Sequence, residues 1–264
     1  MILRKHILEA IIWKEWKDSF RNKRIIAPVI LLTILFALVF PLLFFQVILL
    51  SPEEIPPFAG QLPENFDNIL LMAIFGMFKY ILPMFLLLIP IITAMSLATY
   101  SFAGEKESKT IESLLLIPAT DRELLLAKSL AIFIPAIIIG WLGNFVYLLI
   151  VKIVIEPAIS IWMLPDLQYV IEVFLLGPLM TFLTIEVIVL VSSIASGIRE
   201  AEQYSGIVLM PIIIMFTIQI SGIFILGFLE VVLLTVITGL LDALLLKISE
   251  SVFNREKLVL RLEK

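Results

Sequence analysis

The sequence contains no cysteine and a single histidine, His6. Without cysteine there is no disulfide framework, no thiolate zinc or iron-sulfur site and no thiol nucleophile. One histidine leaves little room for metal or acid-base chemistry, so no catalytic, cofactor-binding or metal-ligating residue is assigned to this chain. Charge is also scarce: 16% of the 264 residues are Asp, Glu, Lys or Arg, against about 25% in soluble domains. A net charge of -4 and a pI near 5.2 give no basic face for nucleic acid. A phosphate-cradling glycine loop is missing as well. The nearest stretch, 103–110, ends in Lys109-Thr110 but has Ala103 and Ser108 where the glycines belong. Any ATP must therefore be handled by a partner chain. HExxH and Gly-x-Ser-x-Gly are likewise absent, which removes support for intramembrane proteolysis and lipid hydrolysis.

What the sequence has is apolar length. Hydrophobic residues make up 61% of the chain and mean hydropathy is +1.11, which excludes a water-soluble single domain. A hydrocarbon core of about 30 Å needs a helix of about 20 residues. The uncharged run from Ile25 to Pro52 predicts span one at about 27–49. Residues Ser51 to Asp67, with four prolines and the acids Glu53, Glu54, Glu64 and Asp67, read as an aqueous loop. Residues 66–78 are expected to form a short helix along the interface, with Lys79 at the outer edge of span two. Span two is predicted at about 80–103, span three at about 129–151 and span four at about 169–197. The block from Gln203 to Leu246 has 44 residues, and a single helix of that length would run about 66 Å. It must fold back near Gly222 to Glu230, giving spans five and six at about 204–226 and 228–247.

Basic residues test this map independently, because cytoplasmic loops collect them. Residues 1–27 hold seven, 104–128 four, 247–264 five, and Arg199 is one more; of the 19, only Lys79 and Lys152 fall elsewhere. Both termini are then cytoplasmic and the number of spans is even. No small-residue cleavage site follows span one, so no cleavable signal peptide is expected.

Two segments lie outside the spans. Ile12, Trp16 and Phe20 recur every four residues with Leu8 and Trp13 alongside, while Lys14, Lys17, Asp18 and Arg21 oppose them. This predicts an amphipathic helix at about 7–24, lying on the membrane surface until the chain turns upward near Pro28. It serves as an anchor, as a partner contact, or as both. Between spans two and three, residues 105–117 predict a charged helix with an apolar end, closed by Pro118. Thr120 and Glu123 have capping-box spacing, so a new helix starts there and runs into span three.

Glu105-Lys106-Glu107, Thr110-Ile111-Glu112, Leu114-Leu115, Pro118 and Lys128 resemble the signature between spans two and three of ABC-2 type exporter permeases. The amphipathic elbow, the six spans and Phe253-Asn254-Arg255-Glu256-Lys257 after the last span extend the resemblance over the whole chain. Lys109 departs from the family, which commonly has glycine there. The resemblance implies an all-α polytopic protein of the cell membrane, a single domain over 1–264 that dimerises with an identical or related permease. It implies a separate ATP-binding subunit carrying ATP and Mg. Residues 105–117 would be the cytoplasmic coupling helix, with Glu105, Lys106, Glu107, Lys109, Thr110, Ile111, Glu112, Leu114 and Leu115 meeting the ATPase.

Inside the spans, Asn144, Glu186, Ser193 and Gln219 are the candidates for a substrate path. Glu186 is expected on one helix face with Ser193 and Gly197, turned away from lipid. Ionisable groups in lipid are costly, so Glu186 reads either as a path or cation residue, or as a protonated or hydrogen-bonded carboxyl between packed helices. Asn144 and Gln219 suit interhelical hydrogen bonds. Asp242 is placed near the cytoplasmic end within reach of water or a base, and Glu230 at the outer turn. Pro83, Pro90, Pro135, Pro178 and Pro211 are expected to kink or break their helices. Besides an exporter permease, the sequence allows a gradient-driven carrier or channel using Glu186, or a membrane scaffold that transports nothing.

Overall fold

The computed structural model describes residues 5–50, 57–62, 68–107, 120–163, 165–195 and 197–252. The architecture among them is all-α, with no strand. Helix α1 (Lys5–Arg21) is followed by six helices long and apolar enough to cross a membrane. These are α2 (Ile25–Leu50), α3 (Ile69–Gly104), α4 (Asp121–Ile159), α5 (Leu167–Ile194), α6 (Ile198–Ile220) and α7 (Phe228–Ser249), matching spans one to six in order.

Helix α3 is the hub. Its apolar window is 78% buried, against 17% for α7. Helices α4, α5 and the start of α6 pack on α3, and α7 packs on α5. The outward sides of α2, α6 and α7 leave residues such as Leu31, Ile207, Leu233 and Leu240 exposed, the composition of a lipid-facing surface.

Boundaries differ from expectation in three places, each for a local reason. Residues 69–78 do not lie along an interface but begin α3, capped by Asn68, whose side chain accepts from the Leu70 amide. Ala73, Ile74, Phe75 and Gly76 are all buried, so this segment has no polar face to give to water. The chain leaves α1 at Asn22 and not at Pro28: the Asn22 carbonyl accepts from the Ile25 and Ile26 amides, and Pro28 is carried inside the helix Lys23–Ile34. Helix α5 ends at Ile194, with Ala195 and Gly197 both extended, so Ser193 and Gly197 do not share a helix. The predicted reversal is found, since α6 ends at Ile220, Gly222 takes φ +70° and α7 starts at Phe228.

Proline governs the helix irregularities through one repeated device. Single π turns span 35–39, 77–81, 151–155 and 172–176, each followed two residues later by Pro41, Pro83, Pro157 or Pro178. The residue just before each proline donates its amide five residues back: Phe40 to Leu35, Leu82 to Met77, Glu156 to Val151 and Gly177 to Glu172. A proline ring clashes with the carbonyl four residues earlier and offers no N–H. The widened turn gives that carbonyl room. Pro90 follows a break at Leu87 and Pro211 follows a 3₁₀ turn at 206–209, whereas Pro135 stands inside the unbroken helix Asp121–Ile150.

The segment 57–62 is more than a solvated loop. Phe58 and Leu62 are buried over Gly76, where an added Cβ would meet the Phe58 ring at 2.9 Å and Leu62 at 3.0 Å. At this same end the two basic residues outside the positive clusters have acidic partners. Lys79 lies 3.9 Å from Asp166, and Lys152 lies 2.8 Å from Glu156.

Candidate functional site

At the opposite end, here the basal end, α3 finishes and α4 begins. The helix of α3 continues beyond its apolar window to Glu107. Helix α4 starts at Asp121 with the capping box predicted from sequence: the Glu123 amide donates to the Thr120 hydroxyl at 3.2 Å, and the Thr120 amide donates to the Glu123 carboxylate at 2.9 Å. Glu105, Lys106 and Glu107 are thus backbone residues of the last helical turn. Lys109, Thr110, Ile111, Glu112, Leu114 and Leu115, and the C-terminal Phe253 to Lys257, lie outside the described residues.

Both of these helix ends are held to α1 by a buried polar cluster. Lys128 of α4 is 1% exposed, Ser101 of α3 3% and Glu15 of α1 7%. The Lys128 ammonium lies 3.7 Å from the Glu15 carboxylate, donates to the Ser101 carbonyl at 3.0 Å and sits 5.3 Å over the Phe102 ring. The Ser101 hydroxyl donates to Glu15 at 2.7 Å. Around this cluster, Ile11 and Leu8 pack on Leu124 and Ala127, and the Trp16 indole N–H donates to the Ala131 carbonyl at 2.7 Å.

The stripe of α1 that faces protein is therefore Leu8, Ile11, Glu15 and Ser19, whereas Trp13 and Phe20 point outward, 69% and 50% exposed. Of the expected apolar face, Ile12 and Trp16 are half-buried, Trp16 bonded to α4, while Phe20 is exposed. Sequence reasoning missed Glu15 and Ser101. The available signal was register: Glu15 falls in line with Leu8 and Ile11, and Lys128 stands at the start of an apolar run.

The four path candidates are not drawn into one group. Asn144 donates to the Gly140 carbonyl at 2.9 Å and accepts from the Tyr169 hydroxyl at 3.1 Å, a bond between α4 and α5. It also lines an apolar cavity of about 410 Å³ bounded by Trp141, Phe145, Tyr169 and Phe174. Gln219 accepts from the Leu226 amide at 3.4 Å, bracing the α6–α7 reversal and not another span. Ser193 donates to its own helix, at the Leu190 carbonyl. Glu186 is 3% exposed, and neither of its carboxylate oxygens has a hydrogen-bond partner. Asp242 of α7 lies close enough to act on it electrostatically. Asp242 is itself 6% exposed, and among the described residues nothing hydrogen-bonds its carboxylate, where a reach to water or a base was expected. Glu230 does sit at the reversal, its carboxylate turned over Gly227 at the start of α7.

A larger cavity of about 1000 Å³ opens at the basal end between the starts of α2 and α6 and the end of α3. Asn22, Ser96, Tyr100, Arg199, Glu200 and Gln203 line it, giving hydrogen-bonding groups and both signs of charge beside the apolar Ile25 and Ile198.

The profile of the ABC-2 family transporter proteins matches residues 9–248, nearly the whole chain and all six spans. The chain belongs to the ABC-2 transporter family. It is accordingly a multi-pass membrane protein, and membership of this family goes with transport and with the role of membrane subunit. No curated protein matches the chain as a relative.

Proposed function

We propose that the chain is the permease subunit of an ATP-driven exporter, working as a pair with separate ATP-binding subunits that carry ATP and Mg. The observation that carries this reading is the family match over residues 9–248. In the membrane the basal end faces the cytoplasm with both termini. Residues 105–117, Thr110 among them, dock on the ATP-binding subunit, with the charges Glu105, Lys106, Glu107, Lys109 and Glu112 setting registry and Ile111, Leu114 and Leu115 supplying buried contact.

The structural support is mechanical. Closure of the ATPase pair pushes on a connection whose two ends are stiff helix, α3 to Glu107 and α4 from the Thr120 cap, so displacement reaches the hub of the bundle. Because α3 also forms a wall of the basal cavity, moving it reshapes that cavity. The cavity is the entry for substrate, and the mixed lining of Tyr100, Arg199, Glu200 and Ile198 suits a solute with polar and apolar parts.

Reversing charge with Glu105→Lys plus Glu107→Lys tests the coupling. In proteoliposomes containing the ATP-binding subunit, transport should fall while membrane insertion and dimer formation persist. Undiminished transport in that variant would remove residues 105–117 from the coupling role.

A further inference from the structure

We propose that Glu15 and Lys128 are positioning residues that lock α1 to the two helix ends flanking residues 108–119, so that α1 moves as one body with those ends of α3 and α4. The consequence for transport rests on the exporter reading above; the lock itself does not.

Helix α1 has more to do with α4, far away in sequence, than with α2, its immediate successor. Its attachment is specific. One carboxylate of Glu15 receives the Ser101 hydroxyl of α3 at 2.7 Å and faces the Lys128 ammonium of α4 at 3.7 Å. Lys128 in turn reaches back to the Ser101 carbonyl at 3.0 Å, so three helices close on one point. All three side chains are more than nine-tenths buried, where water neither screens nor replaces the interaction. Burying an ammonium and a carboxylate is costly before pairing, so such a pair is poorly suited to mere packing. It does fix geometry, because a displaced α1 would part the Glu15 carboxylate from the Lys128 ammonium and the Ser101 hydroxyl in a dry site. On its outer side α1 carries Trp13 and Phe20 exposed beside Lys14, Lys17 and Arg21, the arrangement of an interfacial anchor. The lock therefore ties a helix held at the membrane surface to the moving ends of α3 and α4.

The test is the double replacement Glu15→Leu plus Lys128→Met in the assembled transporter. Removing both charges together strands neither member of the Glu15–Lys128 pair, so folding and thermal midpoint should be kept or improved. Spin labels at Lys17 on α1 and Arg122 on α4 should give one narrow distance in the unsubstituted protein and a broadened or shifted distribution in the double variant. Substrate moved per ATP hydrolysed should fall on the order of fivefold or more, at unchanged thermal stability. An unaltered distance distribution would overturn the lock. A broadened distribution with full transport per ATP would overturn its positioning role. If the unsubstituted protein shows no ATP-dependent transport, the exporter reading fails, and the distance measurement still decides the lock.

Discussion

Gly140 of α4 lies against Pro90 of α3 so closely that a Cβ at position 140 would meet the proline Cβ at 2.8 Å. One turn along, a Cβ at Gly143 would meet the Ile89 Cδ1 at 2.7 Å. Pro90 is rigid and cannot withdraw, so the crossing of α3 and α4 depends on a missing side chain. Gly140→Val should cost about 1–3 kcal/mol and lower the thermal midpoint in detergent. Gly206→Ala, at a position with nothing within 4 Å, is the matched control and should leave it unchanged.

Tyr147 connects the same two helices further along. It is fully buried, and its hydroxyl donates to the Phe78 carbonyl at 2.6 Å. Phe78 lies in the π turn ahead of Pro83, where the proline supplies no amide to the ladder. Tyr147→Phe should therefore destabilise by about 1–2 kcal/mol, read as an earlier unfolding transition without loss of insertion.

Glu186 and Asp242 present the opposite case. Both are buried, both lack hydrogen-bond partners among the described residues, and each stands in the other's electrostatic reach. Glu186→Met removes a polar group that is buried without compensation, so stability should rise by about 1 kcal/mol or more. A lowered thermal midpoint would show that the carboxyl holds the helices together, and would contradict that accounting.

Much of the fold was legible because hydrophobic length is a strong signal. Six spans, the reversal at Gly222 and the Thr120–Glu123 cap follow from run length, glycine and capping chemistry, all local properties. Residues 69–78 misled for the same reason: Lys79 interrupts an apolar run, and the helix carries it beside Asp166, remote in sequence, and over the Phe75 and Tyr80 rings. The site was less legible. Glu15 looks like a solvated residue on a charged helix, and its role appears only when α4 and α3 supply Lys128 and Ser101 from more than 80 positions away. Asp242 likewise reads as near the end of its span, whereas its burial depends on the packing of α7 on α5.

Gly222 offers a further check on the α6–α7 reversal. Its φ of +70° suits glycine, and an added Cβ would collide with the Pro57 carbonyl. Gly222→Ala should cost about 1–3 kcal/mol. Protease sensitivity of the 221–227 segment should rise together with exposure of Phe58, since the two pieces rest on each other.

Docking of a separate ATPase on residues 105–117 is the step on which the proposed transport cycle depends. The most direct measurement is co-purification of the chain in nanodiscs with ATP-binding subunits of the same cell, comparing the natural sequence with Leu114→Asp plus Leu115→Asp. An ATPase should co-elute with the natural chain and be lost from the correctly inserted variant. An ATPase that binds both equally, or binds neither, would contradict that docking.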